Sequence, residues 1–190
     1  MTIQEILTHV DKYDIPMLIP ELQSIGIDEP HCKWPGTIKR RGRAKSFNFY
    51  TEYINCSSLL RKPSKLTALK PLSCGEIYID TADKPLAYII GYVYAKRWLS
   101  RYLQEKRIRI WVDMHWPTNQ SKYHLLGVPY GWKSFSISAE ADLGYIDKQY
   151  NLAKIHARSD DISFLVIDNA NSPAMQTECQ NRSWLYMRSQ

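Results

Sequence analysis

The chain has 190 residues, a formal net charge of +6, 44% hydrophobic residues and 23% charged residues. This is globular composition, long enough to bury a full core without a disulfide or metal staple, and it argues against wholesale disorder. The longest apolar run, Leu86 to Val93, falls well short of the roughly 20 residues that a membrane-spanning helix needs.

The start Met1-Thr2-Ile3-Gln4-Glu5 lacks the basic residues and apolar core of a signal peptide, so a cytoplasmic location and no membrane partner are expected. Cys32, Cys56, Cys74 and Cys179 are scattered, with no Cys-x-x-Cys pair, and free thiols are expected.

In chain order, Thr2-x-x-Glu5 forms a capping box ahead of Ile6, Leu7 and Val10, predicting a short helix. A second short helix is expected over Pro20–Ser24. Pro30, Pro35, Gly36, Pro63 and Pro71 then punctuate the chain, so residues 1–72 read as an irregular extension. Inside it, Lys39, Arg40, Arg41, Arg43 and Lys45 put five cations into seven residues. Aromatic alternation follows over Ser46–Ile54, with Phe47, Phe49, Tyr50 and Tyr53, and suits a strand or extended arm.

From residue 73 the pattern becomes regular. Glu76–Ile79 reads as a strand ending at Asp80. Asp83 can cap a helix running to about Glu105, striped by Leu86, Ile89, Ile90 and Val93. Gly91 in its middle costs about 1 kcal/mol relative to Ala, which suggests a close backbone contact there. Strands are expected at Ile108–Val112, Ser134–Ser138, Ile162–Ile167 and Trp184–Met187, with an amphipathic helix over Ala141–Arg158. The unbroken apolar run Ile162–Ile167 marks a strand buried on both faces. The expected fold is α/β, with a mostly parallel sheet of about four to five strands and crossover helices over residues 73–190. An open doubly wound sheet is the first choice and a half-barrel of the TIM type the second.

Ligands of parallel α/β folds bind beyond the carboxyl ends of the strands. There the sequence places Asp80 and Asp83, then Asp113, His115 and Trp116, then Glu140, then Asp168 and Asn169. Asp80, Asp113 and Asp168 with His115 would suit Mg²⁺ or Mn²⁺, with His115 as ligand or general base in a phosphodiesterase. The bland alternative is that Asp and Asn here cap helices and start turns. The basic segment with Phe47, Phe49 and Tyr50 suits a nucleic acid, cations on phosphate and rings on bases; its bland alternative is a solvated loop leading into a strand whose rings face the core. Nucleotide-binding glycine loops, a Walker loop, His-Glu-x-x-His and a nucleophile elbow are all missing. The loop Asn119–Trp132 is rich in aromatics and turn residues, fitting either a lid or packing against the sheet edge.

Trp111-Val112-Asp113-Met114-His115-Trp116 loosely resembles the metal-binding strand of rolling-circle replication nucleases, with Asp113 where their first histidine stands. Tyr150-Asn151-Leu152-Ala153-Lys154 matches their Tyr-x-x-x-Lys motif, although Tyr150 lies on an apolar stripe. A second resemblance rests on Asn48-Phe49-Tyr50-Thr51-Glu52-Tyr53 and on Lys84-Pro85-Leu86-Ala87 continuing to Lys96-Arg97-Trp98-Leu99-Ser100-Arg101-Tyr102-Leu103-Gln104-Glu105. These stretches resemble a family of bacterial and phage or plasmid domains of unknown function, over about residues 46–187. The resemblance implies an α/β fold and mobile-element biology, and no reaction. The chain departs from it at Ile54-Asn55-Cys56-Ser57.

Three functions are consistent with these features: a nucleic-acid-binding accessory protein of a phage or plasmid, a metal-dependent nuclease, and a factor that docks on a protein partner through its 13 Tyr and 6 Trp.

Overall fold

The computed structural model describes residues 10–51 and 53–188, with Tyr53 and Ile54 described in backbone only. The expected Thr2–Glu5 helix lies outside the described residues. Seven parallel strands form one sheet in the order β1-β2-β3-β4-β5-β6-β7. They are β1 His31–Lys33, β2 Ser46–Phe49, β3 Ser73–Ile77, β4 Arg109–Asp113, β5 Ser134–Ser138, β6 Ser163–Asp168 and β7 Leu185–Arg188.

The helices are α1 Ile38–Arg41, α2 Tyr53–Arg61, α3 Ser64–Thr67, α4 Leu86–Glu105, α5 Ser121–His124, α6 Leu143–Ala157 and α7 Pro173–Asn181. A 3₁₀ turn at Pro20–Leu22 stands where a second helix was expected.

Strands that neighbour one another in strict chain order, all parallel, require every crossover to run over the same face. The sheet therefore winds in one direction and curls into a half-barrel; the doubly wound alternative does not hold. The curl is visible in the packing. Tyr50, just after β2, shares a cluster with Leu165 and Ile167 of β6 and Met187 of β7. The two edges also face one another, because Glu29–His31 and Tyr186–Arg188 line one cleft of about 520 Å³.

Seven strands replace the four to five expected. The two additional ones are β1 and β2, which lie in the segment that reads as irregular, and they continue the same sheet. β1, at three residues, is too short for a periodic signal, whereas β2 begins the strand that the aromatic alternation of Ser46–Ile54 suits, and it is buried at every position. Its aromatic alternation stops at Phe49, and α2 begins where the strand was expected to continue.

Alternation along the strands separates two environments. Phe47, Phe49, Cys74, Ile110, Val112, Phe135, Ile137, Phe164 and Val166 pack outward against Cys56 and Leu59 of α2, Leu99 and Leu103 of α4, Ala153 of α6 and Cys179 of α7. The concave face carries Trp111, Leu165, Ile167 and Met187 together with small polar residues, among them Ser134, Ser136 and Ser138. All four cysteines are free and buried.

At the amino-terminal ends of the strands, the chain before β1 closes the half-barrel. Gln23 bridges to Ile110, and Ser24 N–H donates to the Ile110 carbonyl. The Gln23 amide oxygen accepts from Lys133 N–H, and Arg109 pairs with Asp28 at 2.7 Å. The carboxyl ends of the strands remain open. Gly127 is required where the following loop meets the early chain: its φ is +74°, and a Cβ would lie 2.6 Å from the Pro16 carbonyl.

Candidate functional site at the mouth of the half-barrel

The open end holds a cleft of about 700 Å³ lined by residues that follow successive strands. Tyr50 and Thr51 come from β2, Tyr78 and Asp80 from β3, His115 from β4, and Ser138 and Glu140 from β5. Lys33 lies at the far edge and Tyr92 reaches in from α4.

Asp113 ends the central strand and points into the concave side, 1% exposed. Its Oδ1 accepts from the Tyr50 hydroxyl at 3.0 Å and from the His115 backbone N–H at 2.9 Å. The Tyr50 hydroxyl also meets Ser136 Oγ at 3.2 Å. Oδ2 lies 3.5 Å from Lys96 Nζ of α4. Burial raises the Asp113 carboxyl above its ordinary range, and Lys96 opposes that rise only in part. The same burial lowers Lys96 against the pull of Asp113 and Glu76. The two groups thus approach one another in proton affinity.

A second carboxylate lies behind. Glu76 of β3 faces α4, where it pairs with Arg97 and accepts from Ser100 Oγ at 3.2 Å. Its Oε2 accepts from the Asp113 backbone N–H. Burial alone would raise Glu76, but Arg97 and Lys96 hold it below the usual range. Two buried cations and two buried anions therefore balance, the condition under which such charges are tolerated.

Lys96 also sits 3.4 Å from His124 Nδ1. An ammonium can only donate, so this nitrogen accepts and the His124 proton is on Nε2, against Thr81 and Gln120. Burial, reinforced by Lys96 and Arg97, keeps His124 neutral far below its usual pKa. His124 stacks on Trp116 with ring centroids 5.1 Å apart.

His115 is the half-buried group above Asp113, caged by the rings of Tyr50, Tyr78 and Tyr145 at 6.1, 5.0 and 5.8 Å. Its Nδ1 is buried and has no hydrogen-bond partner. Tyr78 is pushed up to about 12 by burial, with Asp80, Asp113 and Glu140 adding to the effect. Burial likewise raises Tyr50 and Tyr145, so at neutral pH all three hydroxyls are neutral.

The residues expected at a site divide. His115 and Asp80 line the cleft, while Asp113 lies buried beneath it and accepts from the His115 backbone N–H. Asp168 serves the turn after β6: its oxygens accept from the N–H groups of Ala170, Asn171 and Ser172 and from the Tyr186 hydroxyl. The expected Asp80–Asp113–Asp168 metal centre is not assembled, since among the described residues no three His, Cys, Asp or Glu side chains are grouped to hold a metal ion. The capping role that Asp and Asn play at strand ends is what separates them. Tyr150 packs against Phe164 and Trp184, on the helical side of the sheet, which removes it as a nucleophile.

The expected base-stacking rings are displaced as well. Phe47 and Phe49, each 1% exposed, pack against Trp34 in the core, and Tyr50 belongs to the cleft. Lys39, Arg40, Arg43 and Lys45 are exposed, and Arg41 lies over the Trp34 ring. Sequence reasoning missed Lys96, Glu76, His124, Tyr78 and the role of Tyr50. The available signal was Lys96 itself, a lysine on the apolar side of a long helix that needs a buried partner.

Compared with known proteins, the chain matches no family model, no curated protein and no solved structure.

Proposed function

We propose that the cleft binds a polar, ring-bearing ligand of the carbohydrate type and that the protein hydrolyses it by acid–base chemistry. The carrying observation is Asp113: a buried carboxyl of raised proton affinity at the end of the central strand, hydrogen-bonded to a tyrosine that lines the cleft. A carboxyl whose proton affinity is raised by burial suits a general acid, and a carboxylate on the cleft lining can activate water. Glu140, held by Asn169 Nδ2 at 2.8 Å, fits that second part. Tyr78 and Tyr92 offer ring faces to a sugar, while His115, Ser138 and Asp80 offer hydrogen bonds to its hydroxyls. Tyr50 links Asp113 to the cleft: when Asp113 is protonated, its proton moves to the Tyr50 oxygen as the Tyr50 hydroxyl proton passes to the leaving-group oxygen, which reverses the hydrogen bond that Tyr50 donates to Asp113 in the structure. Placement at the carboxyl ends of parallel strands supports this reading by analogy of architecture.

The test is a panel of oligosaccharides assayed by calorimetry and by release of reducing ends. Glu140→Gln should retain binding while turnover falls at least about 100-fold, the usual size of a lost acid or base. Tyr78→Ala should weaken binding itself. Failure of every glycan to bind, or turnover unchanged in Glu140→Gln, would remove the hydrolase reading.

A further inference from the structure

The cations are not spread evenly. Residues 30–75 hold ten basic residues and one acidic residue, a local charge of +9, so the other 144 residues together carry −3. This stretch spans β1 to β3, and its helices α1, α2 and α3 all lie on the outer side of the sheet, away from the concave face.

Two contacts bring the crossovers together. Trp34 donates its indole N–H to the Asn55 carbonyl of α2 while Arg41 of α1 lies over its ring. The Lys45 carbonyl accepts from the N–H groups of Leu72 and Ser73, which places the end of the first crossover beside the end of the second. Lys39, Arg40, Arg43 and Lys45 are exposed on the first. Arg61, Lys62, Lys65 and Lys70 are exposed on the second. None of these eight forms an ion pair among the described residues, whereas Arg97, Arg109, Lys133, Lys154 and Arg182 elsewhere do.

We infer that this outer face of the β1–β3 crossovers binds the phosphodiester backbone of a nucleic acid, independently of the cleft. Uncompensated cations at this density oppose folding through mutual repulsion, and a polyanion relieves that repulsion while releasing its counterions. Arginine forks and lysine point charges both match phosphate oxygens. The recognition is of backbone, because the described rings of the same stretch, Trp34, Phe47, Phe49 and Tyr50, are buried and unable to read or stack on bases. A bilayer surface would call for several exposed apolar side chains among the cations, and among the described residues of this stretch only Ile38 and Leu72 are large, apolar and exposed.

Fluorescence anisotropy with labelled double- and single-stranded DNA and RNA of unrelated sequences, across a salt series, tests this. If about four phosphates are engaged, log affinity for duplex DNA falls with log salt at a slope of about −3.6, with little dependence on sequence. Lys39→Glu, Arg40→Glu, Arg43→Glu and Lys65→Glu combined should lower affinity at low salt at least about 100-fold. Unaltered far-UV circular dichroism and melting temperature would show that the fold is intact. Lys148→Glu, at an exposed position of α6, is the control and should change little. Equal loss in the control, no binding to any nucleic acid, or binding only to anionic phosphatidylserine vesicles would each overturn the assignment.

Discussion

On Ser134–Ser138, one strand faces two environments. Phe135 and Ile137 enter the apolar layer under the helices, while Ser134, Ser136 and Ser138 face the hollow of the half-barrel. All five are buried, so burial does not distinguish the faces. The outward face gains its stability from apolar area and shape, and the inward face is polar, built from short hydrogen-bonded side chains. The concave side of the curled sheet is lined here by short side chains, Ser134, Ser136 and Ser138 among them. The apolar layer lies on one side of the sheet and the residues that reach the cleft lie on the other.

Substitution on the same strand tests this division most strongly. Phe135→Ala removes a ring that is 0% exposed and should cost about 3–5 kcal/mol, read from chemical denaturation. Ser136→Ala, the next residue, removes one hydrogen bond to the Tyr50 hydroxyl, which keeps its bond to Asp113. Its expected cost is about 1 kcal/mol or less. Comparable losses at the two positions would show that the concave face is as important to stability as the convex one.

Acid sharpens the comparison from the concave side. Asn48 Nδ2 donates to His31 Nε2 while Asn48 Oδ1 accepts the Tyr50 N–H, so the His31 proton is on Nδ1 and donates to Ser46 Oγ. Ser46 in turn donates to the Asp28 carbonyl. Protonating Nε2 would set two donors against one another. Burial lowers His31 from 6.5 to about 4. Between those values the unfolded chain binds the proton and the folded chain does not, so stability present above pH 6.5 is lost as pH falls towards 4. His124 acts in the same direction. Melting temperature should therefore drop over this window, and His31→Asn should make the decline shallower without abolishing it. An unchanged slope would show that His31 is not held neutral.

How much of this was legible follows the range of the interactions. Ser134–Ser138 matches its expected span residue for residue, and α6, Leu143–Ala157, lies within the expected Ala141–Arg158, because alternation and amphipathic periodicity are local signals. Asp113 and His115 were legible because strand ends in parallel folds are where sites form. The partners that give Asp113 its character, Lys96 and Tyr50, lie 17 and 63 residues away in sequence, and no periodicity links them. α7 was missed although Ser172-Pro173 is a capping residue followed by proline, a start signal obscured by a weakly apolar helix.

Gly91 carries the smallest effect and the opposite sign. In mid-helix glycine is disfavoured, and a close approach of another backbone is the usual reason to keep it. In α4 it is exposed, and a Cβ placed on it meets no heavy atom within 4 Å. Its φ lies outside the left-handed range, so alanine fits without strain. Neither the packed face of α4, where Val93 and Leu99 lie, nor the charged side of Lys96 and Arg97 is touched by the change. Gly91→Ala should therefore stabilise the protein by about 0.5–1 kcal/mol, through helix propensity and a less flexible unfolded chain. Denaturant midpoints measured beside Phe135→Ala would detect it. A destabilised Gly91→Ala would mean that another surface approaches this helix, and the outer side of α4 would then join the basic crossovers as a place to look for a partner.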